Sequence, residues 1–298
     1  MDIRVHNGSR LDAEEVVRFL ERCNQTHNGN YVVASQLGSL LSLDSVVVEA
    51  RQVVNGNITG VICCFPIRTN VGTYACITFF CVDPIHRKKG LASQLKARMV
   101  KECHDRHISF SYQVTDKPMF DTSVALGSWY RPLNTELAKR AMFELPLGVY
   151  PKIKDDTIRT IQALGTDYRH IETLDRCSFR WCPTYPQYLS WLLACPTYLV
   201  KDRTGIVKGM FSLYSLRMVV NSVILNMDHL TWFVGDPDKV LTSAIEISKA
   251  DMVIGHLVGG LTIDMMKINK AHLSNGAFLS LYGVKKNVKA EEISLPLL

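Results

Sequence analysis

Arg87, Lys88, Lys89 and Gly90 come directly after the run Ile77-Thr78-Phe79-Phe80-Cys81-Val82 and the break Asp83-Pro84-Ile85-His86. Three cationic side chains and a residue tolerant of positive φ, set between a strand and a helix, make an anion trap. Main-chain N–H groups at a helix start have no intrahelical acceptor, and the helix dipole adds to their pull. The chemistry this allows is capture of a phosphate or similar oxyanion at the mouth of a helix. Two elements must position it. Residues 77–82 are β-branched, aromatic or small and apolar, as in a strand buried on both faces, and Asp83-Pro84 ends it. From Leu91 onward the repeat Leu91, Leu95, Met99 predicts a helix, with Ala92 and Cys103 beside that stripe and Lys96, Arg98 and Lys101 turned outward.

The spacing Arg87-x-x-Gly90-Leu91-Ala92 after a strand resembles the pyrophosphate-holding turn of acyl-CoA transferases of the GNAT superfamily. More narrowly, Ile77-x-Phe79-Phe80-Cys81-Val82 with its basic loop resembles N-myristoyltransferases, whose strand reads Ile-Asn-Phe-Leu-Cys-Val. The likeness continues in Asn30-Tyr31-Val32, in the strand from Gly60 to Pro66, and in Ser128-Trp129-Tyr130-Arg131-Pro132-Leu133-Asn134. It also takes in the strand from Val207 through Ser212 and Tyr214 to Leu216, and the acidic-then-apolar end Glu291 to Leu298.

The resemblance implies a reaction and a set of roles. A myristoyl group would pass from myristoyl-CoA, a co-substrate with no tightly bound cofactor beside it, to the N-terminal glycine amine of a protein by direct attack. The backbone N–H groups of Phe79 and Phe80, at a bulge, would bind the oxyanion. Cys81, Val82, Arg87, Lys88, Lys89, Gly90, Leu91 and Ala92 would hold the acyl-CoA, and Tyr31, Val32, Thr78, Tyr130, Ser212 and Tyr214 the peptide. The base would be the α-carboxylate of Leu298. In water a terminal carboxylate near pKa 3.5 takes a proton from an amine near 8 only uphill, by about 6 kcal/mol, and burial of the tail would narrow that gap. An acyl carrier role for Cys81 is unnecessary, since direct transfer needs only orientation and electrostatics. No metal is implied.

The chain departs from the family in places. Thr78 replaces an Asn, Ser128 and Tyr130 replace a channel-lining Tyr and His, and Val33-Ala34-Ser35-Gln36 stands where the family has an acidic loop that attracts basic substrate residues. No aromatic arm precedes Leu11, so the resemblance is to a shortened member, of the kind a compact viral genome would carry. Two competing readings follow: a catalytically inactive relative that binds acyl-CoA or acylated peptides, and an acetyltransferase of small amines.

Composition sets wider bounds. With 298 residues and 47% hydrophobic content the chain can bury one large core or two ordinary ones, and two are expected. A net charge of +6 spread along the chain does not argue for nucleic acid. The nine cysteines fall in no zinc or disulfide spacing and read as buried thiols in a reducing compartment. No run of about eighteen apolar residues and no signal-like start occurs, so a cytoplasmic monomer without membrane insertion is expected. The expected fold class is α+β: tandem GNAT-like halves, residues 1–150 for acyl-CoA and 151–298 for the peptide groove, forming one saddle-shaped mixed sheet flanked by helices. Along the chain, expected helices cover residues 11–23, 37–41, 185–194 and the stretch after Pro237. Strands flank an Asn55-Gly56-Asn57 hairpin turn and cover 73–82, 108–114, 197–200, 205–216, 252–257 and 278–282, with a linker at 145–157.

Overall fold

Ile3 and Val5 alternate with Asp2 and Arg4, which are ion-paired and largely exposed, and this period of two makes Asp2–Asn7 an edge strand, β1. The strand was not anticipated, because the run is short and half polar. The computed structural model describes residues 1–7, 12–25, 31–34, 41, 45–108, 110–115, 123–141, 150, 154–282 and 288–297. The helix expected over 37–41 and most of the linker expected over 145–157 lie outside them.

In the first half, α1 (Ala13–Gln25) is capped by Asp12, whose carboxylate accepts from Glu15 N at 3.0 Å. Then come β2 (Tyr31–Ala34), β3 (Val46–Arg51) and β4 (Ile58–Thr69). Gly56, at φ 71°, closes the β3–β4 hairpin where Asn-Gly-Asn predicts it. β5 (Gly72–Val82), α2 (Leu91–Asp105), β6 (Phe110–Thr115), β7 (Ser123–Pro132) and α3 (Thr135–Arg140) complete this half. α2 buries Leu91, Leu95, Met99 and Cys103 as its stripe requires, whereas Ala92 is exposed, being in the first turn and off that stripe. The helix sits tight on the sheet because Gly60 has no side chain: a Cβ there would lie 2.8 Å from Leu95 Cδ1.

The second half holds β8 (Ile158–Gln162), α4 (Arg169–Leu174), β9 (Phe179–Arg180), α5 (Tyr185–Ala194), β10 (Thr197–Asp202), β11 (Val207–Val220) and β12 (Val223–Gly235). α6 (Pro237–Ile247), β13 (Met252–His256), α7 (Ile263–Ile268), β14 (His272–Tyr282) and β15 (Ile293–Ser294) follow. Local signals explain the boundaries. Thr184 and Gln187 form a capping box on α5, and Asp236 caps α6 with Pro237 behind it.

Thirteen strands form one mixed sheet in the order β1-β3-β4-β5-β6-β14-β7-β13-β12-β11-β10-β8, with β2 joining β11. Within this sheet only β5–β6 and β12–β13 are parallel among the pairs described, and β9 and β15 form a separate parallel pair. Strands from both ends of the chain interleave: β14 lies between β6 and β7, and β2 extends the edge of β11 beyond β10. The sheet also curls. In a flat sheet β6 and β12, four places apart, would be about 19 Å from each other. Yet the carbonyl of Pro296 accepts from Tyr112 on β6, and Leu297 N donates to Thr231 O on β12, each at 2.8 Å. These are consecutive residues, so the sheet wraps around the end of the chain. Leu295 and Leu297 are each 1% exposed inside that wrap.

One buried ion cluster ties α1 to the sheet edge. Arg51 meets Glu49, whose side chain is 0% exposed, and Glu15 on α1, both at 2.6 Å, while His6 Nε2 also reaches Glu49 at 2.9 Å. Arg51→Ala leaves a buried carboxylate with only His6 beside it. It is expected to destabilise the protein by about 3 kcal/mol, the lower end for breaking a buried pair. Urea unfolding at neutral pH measures this, and an unchanged midpoint would mean that His6 satisfies Glu49 alone.

Candidate functional site

β5 is regular until Thr78, which faces Cys63 of β4; pairing resumes with Cys81 opposite Val61. Two residues, Phe79 and Phe80, thus stand against the single residue Ile62, a bulge that re-aims the main chain. Phe79 takes φ +50°, a left-handed conformation that a bulky residue adopts only when its surroundings impose it. Its ring packs edge-on against Phe65 at 6.4 Å, while Phe80 stands 39% exposed with Lys96 Nζ 5.3 Å over its ring. The other edge of β5 is open here as well. Among the described residues β6 pairs with β5 only at Tyr74, Ala75 and Cys76, and then the two parallel strands part. Both bulge residues therefore lie outside the sheet ladder, on the inner side of a fork.

Beyond β5 the chain turns through one 3-10 turn, Pro84–His86, capped by the Asp83 carboxylate accepting from Ile85 N. Arg87 Nε donates to Val82 O at 2.9 Å, which folds the guanidinium back along the strand and beside the Cys81 thiol. Arg87 therefore braces the loop, and the exposed groups of the turn are Lys88, at φ +59°, Lys89 and Gly90. Gly90 is the N-cap of α2 at φ +78°, with no side-chain cap bond, so the amides at the start of this 15-residue helix have no side chain covering them from the cap position. Val82 and Leu91 are buried, holding strand and helix ends together, and Cys81 is half-buried.

The end of the chain approaches the same fork. Tyr112, which donates its hydroxyl hydrogen to the Pro296 carbonyl, is the residue opposite Cys76, where β5 and β6 stop pairing. Trp181 N donates to Ser294 O at 2.8 Å, and Ser294 Oγ donates to Phe233 O at 3.0 Å. The tail is thus fixed on three sides up to Leu297; Leu298 lies outside the described residues.

The residues expected to touch a peptide are placed unevenly. Thr78 immediately precedes the bulge. Tyr31 and Val32 are opposite Val219 and Met218 in the β2–β11 pair. Tyr130 is half-buried and stacked on His272, centroids 5.1 Å apart. Ser212 is 0% exposed and accepts from Trp191 Nε1 at 2.8 Å, with Thr197 Oγ1 2.9 Å away, so its hydroxyl is engaged in the core. Tyr214 is likewise a core residue, 2% exposed, its phenol pushed up by burial. Strand periodicity could not show which face of β11 is covered by α5.

A half-buried histidine pair went unread in the sequence. His229 and His256 meet edge-on at 5.5 Å, and His256 Nδ1 is 3.1 Å from Ser128 Oγ. No local pattern announces it, because the parallel β12–β13 register brings the two rings together. Burial pushes His256 down to about 4; burial together with the neighbouring imidazole pushes His229 down to about 3. Both are neutral in the native state at pH 7. The unfolded chain takes up protons through its ordinary histidine pKa near 6.5. Stability must therefore fall as pH drops from about 6.5 towards 4. The urea midpoint is expected to be lower at pH 5 than at pH 7.5, and His256→Asn is expected to flatten that slope.

Residues 4–120 match the acetyltransferase (GNAT) domain family. No curated protein matches the sequence. Among solved structures, Saccharomyces cerevisiae N-myristoyltransferase with bound myristoyl-CoA is similar over 99% of this chain and 84% of that one, at 15% identity and a TM-score of 0.77. A second structure of that enzyme with myristoyl-CoA gives 0.76 over 98% and 84%, and one with myristoyl-CoA and inhibitors gives 0.74 over 98% and 81%, both at 15% identity. No helix among the described residues is long and apolar enough to cross a membrane.

Proposed function

We propose that this chain, a GNAT-superfamily protein with the N-myristoyltransferase fold over 99% of its length, transfers a myristoyl group from myristoyl-CoA to the N-terminal glycine amine of proteins. The observation that carries the reading is the bulge at Phe79 and Phe80, set on the open fork of β5 and β6 and followed at once by the glycine-capped start of α2. In this reading the pyrophosphate of CoA rests on the amides of Gly90, Leu91 and Ala92 with Lys88 and Lys89 beside it. The pantetheine arm runs along Cys81 and Val82, adding the strand bonds that β6 leaves unmade. The thioester carbonyl then reaches the amides of Phe79 and Phe80, which take up the charge that develops on its oxygen. The glycine amine approaches past Thr78, loses its proton to the α-carboxylate of Leu298 and attacks the carbonyl carbon; the CoA thiolate departs. Residues 1–150 serve the acyl-CoA and residues 151–298 mainly the peptide, with Tyr31, Val32 and Tyr130 along its path.

Transfer of labelled myristate from its CoA ester to a Gly-initiated octapeptide, beside an Ala-initiated control, tests the reading. Product with Gly alone is expected. The withdrawal of Ser212 and Tyr214 into the core favours a second reading, an acyl-CoA or acyl-peptide binder without turnover. Tight myristoyl-CoA binding with no product would select it. An acetyl donor is expected to bind more weakly, by about 0.8 kcal/mol for each missing methylene that the apolar pocket would have covered.

A further inference from the structure

A cavity in the second half is lined by none of the residues given a part in acyl transfer. It lies between α4, the end of β4 and the stretch from Asp175 to Pro183. Its volume of about 220 Å³ falls below the roughly 300–1,000 Å³ of pockets that hold drug-sized ligands, so it fits a smaller molecule. One wall follows from helical spacing, since Tyr168, Ile171, Glu172 and Asp175 are three or four positions apart and share a face. The facing wall is tied by main chain: Cys182 N donates to Arg68 O at 2.8 Å and Arg180 N to Asn70 Oδ1 at 3.0 Å.

Five of the lining side chains carry charge, Arg68, Arg169, Glu172, Asp175 and Arg180. None of the five forms an ion pair among the described residues. Arg68, Arg169 and Glu172 are exposed, whereas Asp175 is 4% exposed. The Asp175 Oδ1 accepts from Cys177 N at 2.9 Å, but its Oδ2 is buried with no partner among the described residues. The same holds for Arg180 Nε, although Arg180 Nη1 donates to Cys177 O at 3.3 Å. Unmatched buried groups are costly, and these two lack opposite things: the carboxylate needs a donor and the guanidinium an acceptor. An anion alone would suit the arginines and be repelled by Asp175 and Glu172; a cation alone would do the reverse. A ligand bearing both charges meets both needs.

We propose that this cavity binds a small zwitterion of the α-amino-acid class, its carboxylate toward Arg68 and Arg180 and its ammonium toward Asp175 and Glu172. Tyr168 and Trp181 give a short side chain an apolar wall. The site also borders the strand that holds the chain's end: β9 pairs with β15, Arg180 opposite Ser294, and Trp181 N donates to Ser294 O. A ligand that fixes Arg180 therefore steadies both strands.

Calorimetric titration of the full chain with L-alanine tests this, with sodium acetate and methylammonium chloride as single-charge controls at matched ionic strength. Saturable binding of alanine alone is expected. Hydrogen exchange should slow across residues 168–183 and 293–294 on binding and stay unchanged at 77–82. Asp175→Asn keeps an acceptor for Cys177 N and should weaken binding about tenfold or more, the loss of a hydrogen bond between charged groups. Arg68→Gln, at an exposed position where folding is not at stake, should weaken it several-fold, and it decides alone if Asp175→Asn does not fold. The proposal is overturned if alanine does not bind, if either single charge binds as well, if protection appears at 77–82 instead, or if the folded variants bind like wild type. No readout requires acyl transfer, so these outcomes stand apart from whether a Gly-initiated peptide is acylated.

Discussion

Extending the chain beyond Leu298 with a short tag is expected to lower kcat by about 10²–10⁴-fold, the range for losing a positioned general base, and to leave myristoyl-CoA affinity unchanged. The reason is geometric. Four main-chain or hydroxyl bonds hold the tail, at Ser294 to Trp181 and Phe233, at Pro296 to Tyr112 and at Leu297 to Thr231, and every one lies before residue 298. A tag spares them all. What it removes is the carboxylate, turned into an amide that cannot accept the ammonium proton at any useful pKa. The turn at Arg87 to Ala92 is on another part of the sheet surface and has no bond to the tail among those described, so the thioester should still bind. Leu298→Ala keeps the carboxylate and should stay within a few-fold of wild type, because the group concerned belongs to the main chain. Steady-state transfer to a Gly-initiated peptide, with calorimetric titration of myristoyl-CoA alongside, gives both numbers. A tagged protein that turns over normally would mean that the proton leaves by another route, for which the His229–His256 pair, neutral at pH 7, is the nearest set of bases in sheet order to Thr231.

What the sequence reveals and what it hides divide along one physical line, whether the cause is local. The α2 stripe, the capping box of Thr184 and Gln187, the Asn-Gly-Asn hairpin and the break at Asp83-Pro84 are all set by residues within a few positions of each other, and the elements form where they say. β12, the long strand over Val223–Gly235, carries no equivalent signal, since Asn226, Asp228 and His229 interrupt its alternation and their partners come from elsewhere. Asp228, for one, is held by the hydroxyls of Ser215 and Ser248, 13 and 20 positions away. The same division runs through the site. The basic turn and Gly90 are legible because an anion trap is a local motif. The surroundings of Ser212 are not legible, since a serine in an apolar strand reads alike whether it faces a groove or the indole of Trp191. The wrap of the sheet around the tail cannot be read at all: it depends on Tyr112 and Thr231 meeting consecutive residues far along the chain.

Replacing the amide of Phe80 by an ester, through incorporation of the α-hydroxy analogue of phenylalanine, is expected to reduce kcat by about 10²–10³-fold, the cost of one oxyanion donor. Side-chain mutation cannot make this test, because the donor is the peptide N–H itself. Proline would delete it at the expense of a new φ constraint, and at Phe79 that constraint is incompatible with φ +50°. The ester changes one atom and keeps the ring under Lys96. Phe80 has no register partner in β4, and a urea midpoint measured alongside separates any cost in stability from the loss of turnover. The effect should fall on the step in which charge develops and not on binding, so the affinity for myristoyl-CoA should change little while kcat drops. An equal fall in affinity would place the amide on the ground-state thioester or the pantetheine arm instead. An unchanged kcat would mean that the bulge turns these amides away from the reacting carbonyl, and with it would go the reason for a phenylalanine to be held in a left-handed conformation at the fork of β5 and β6.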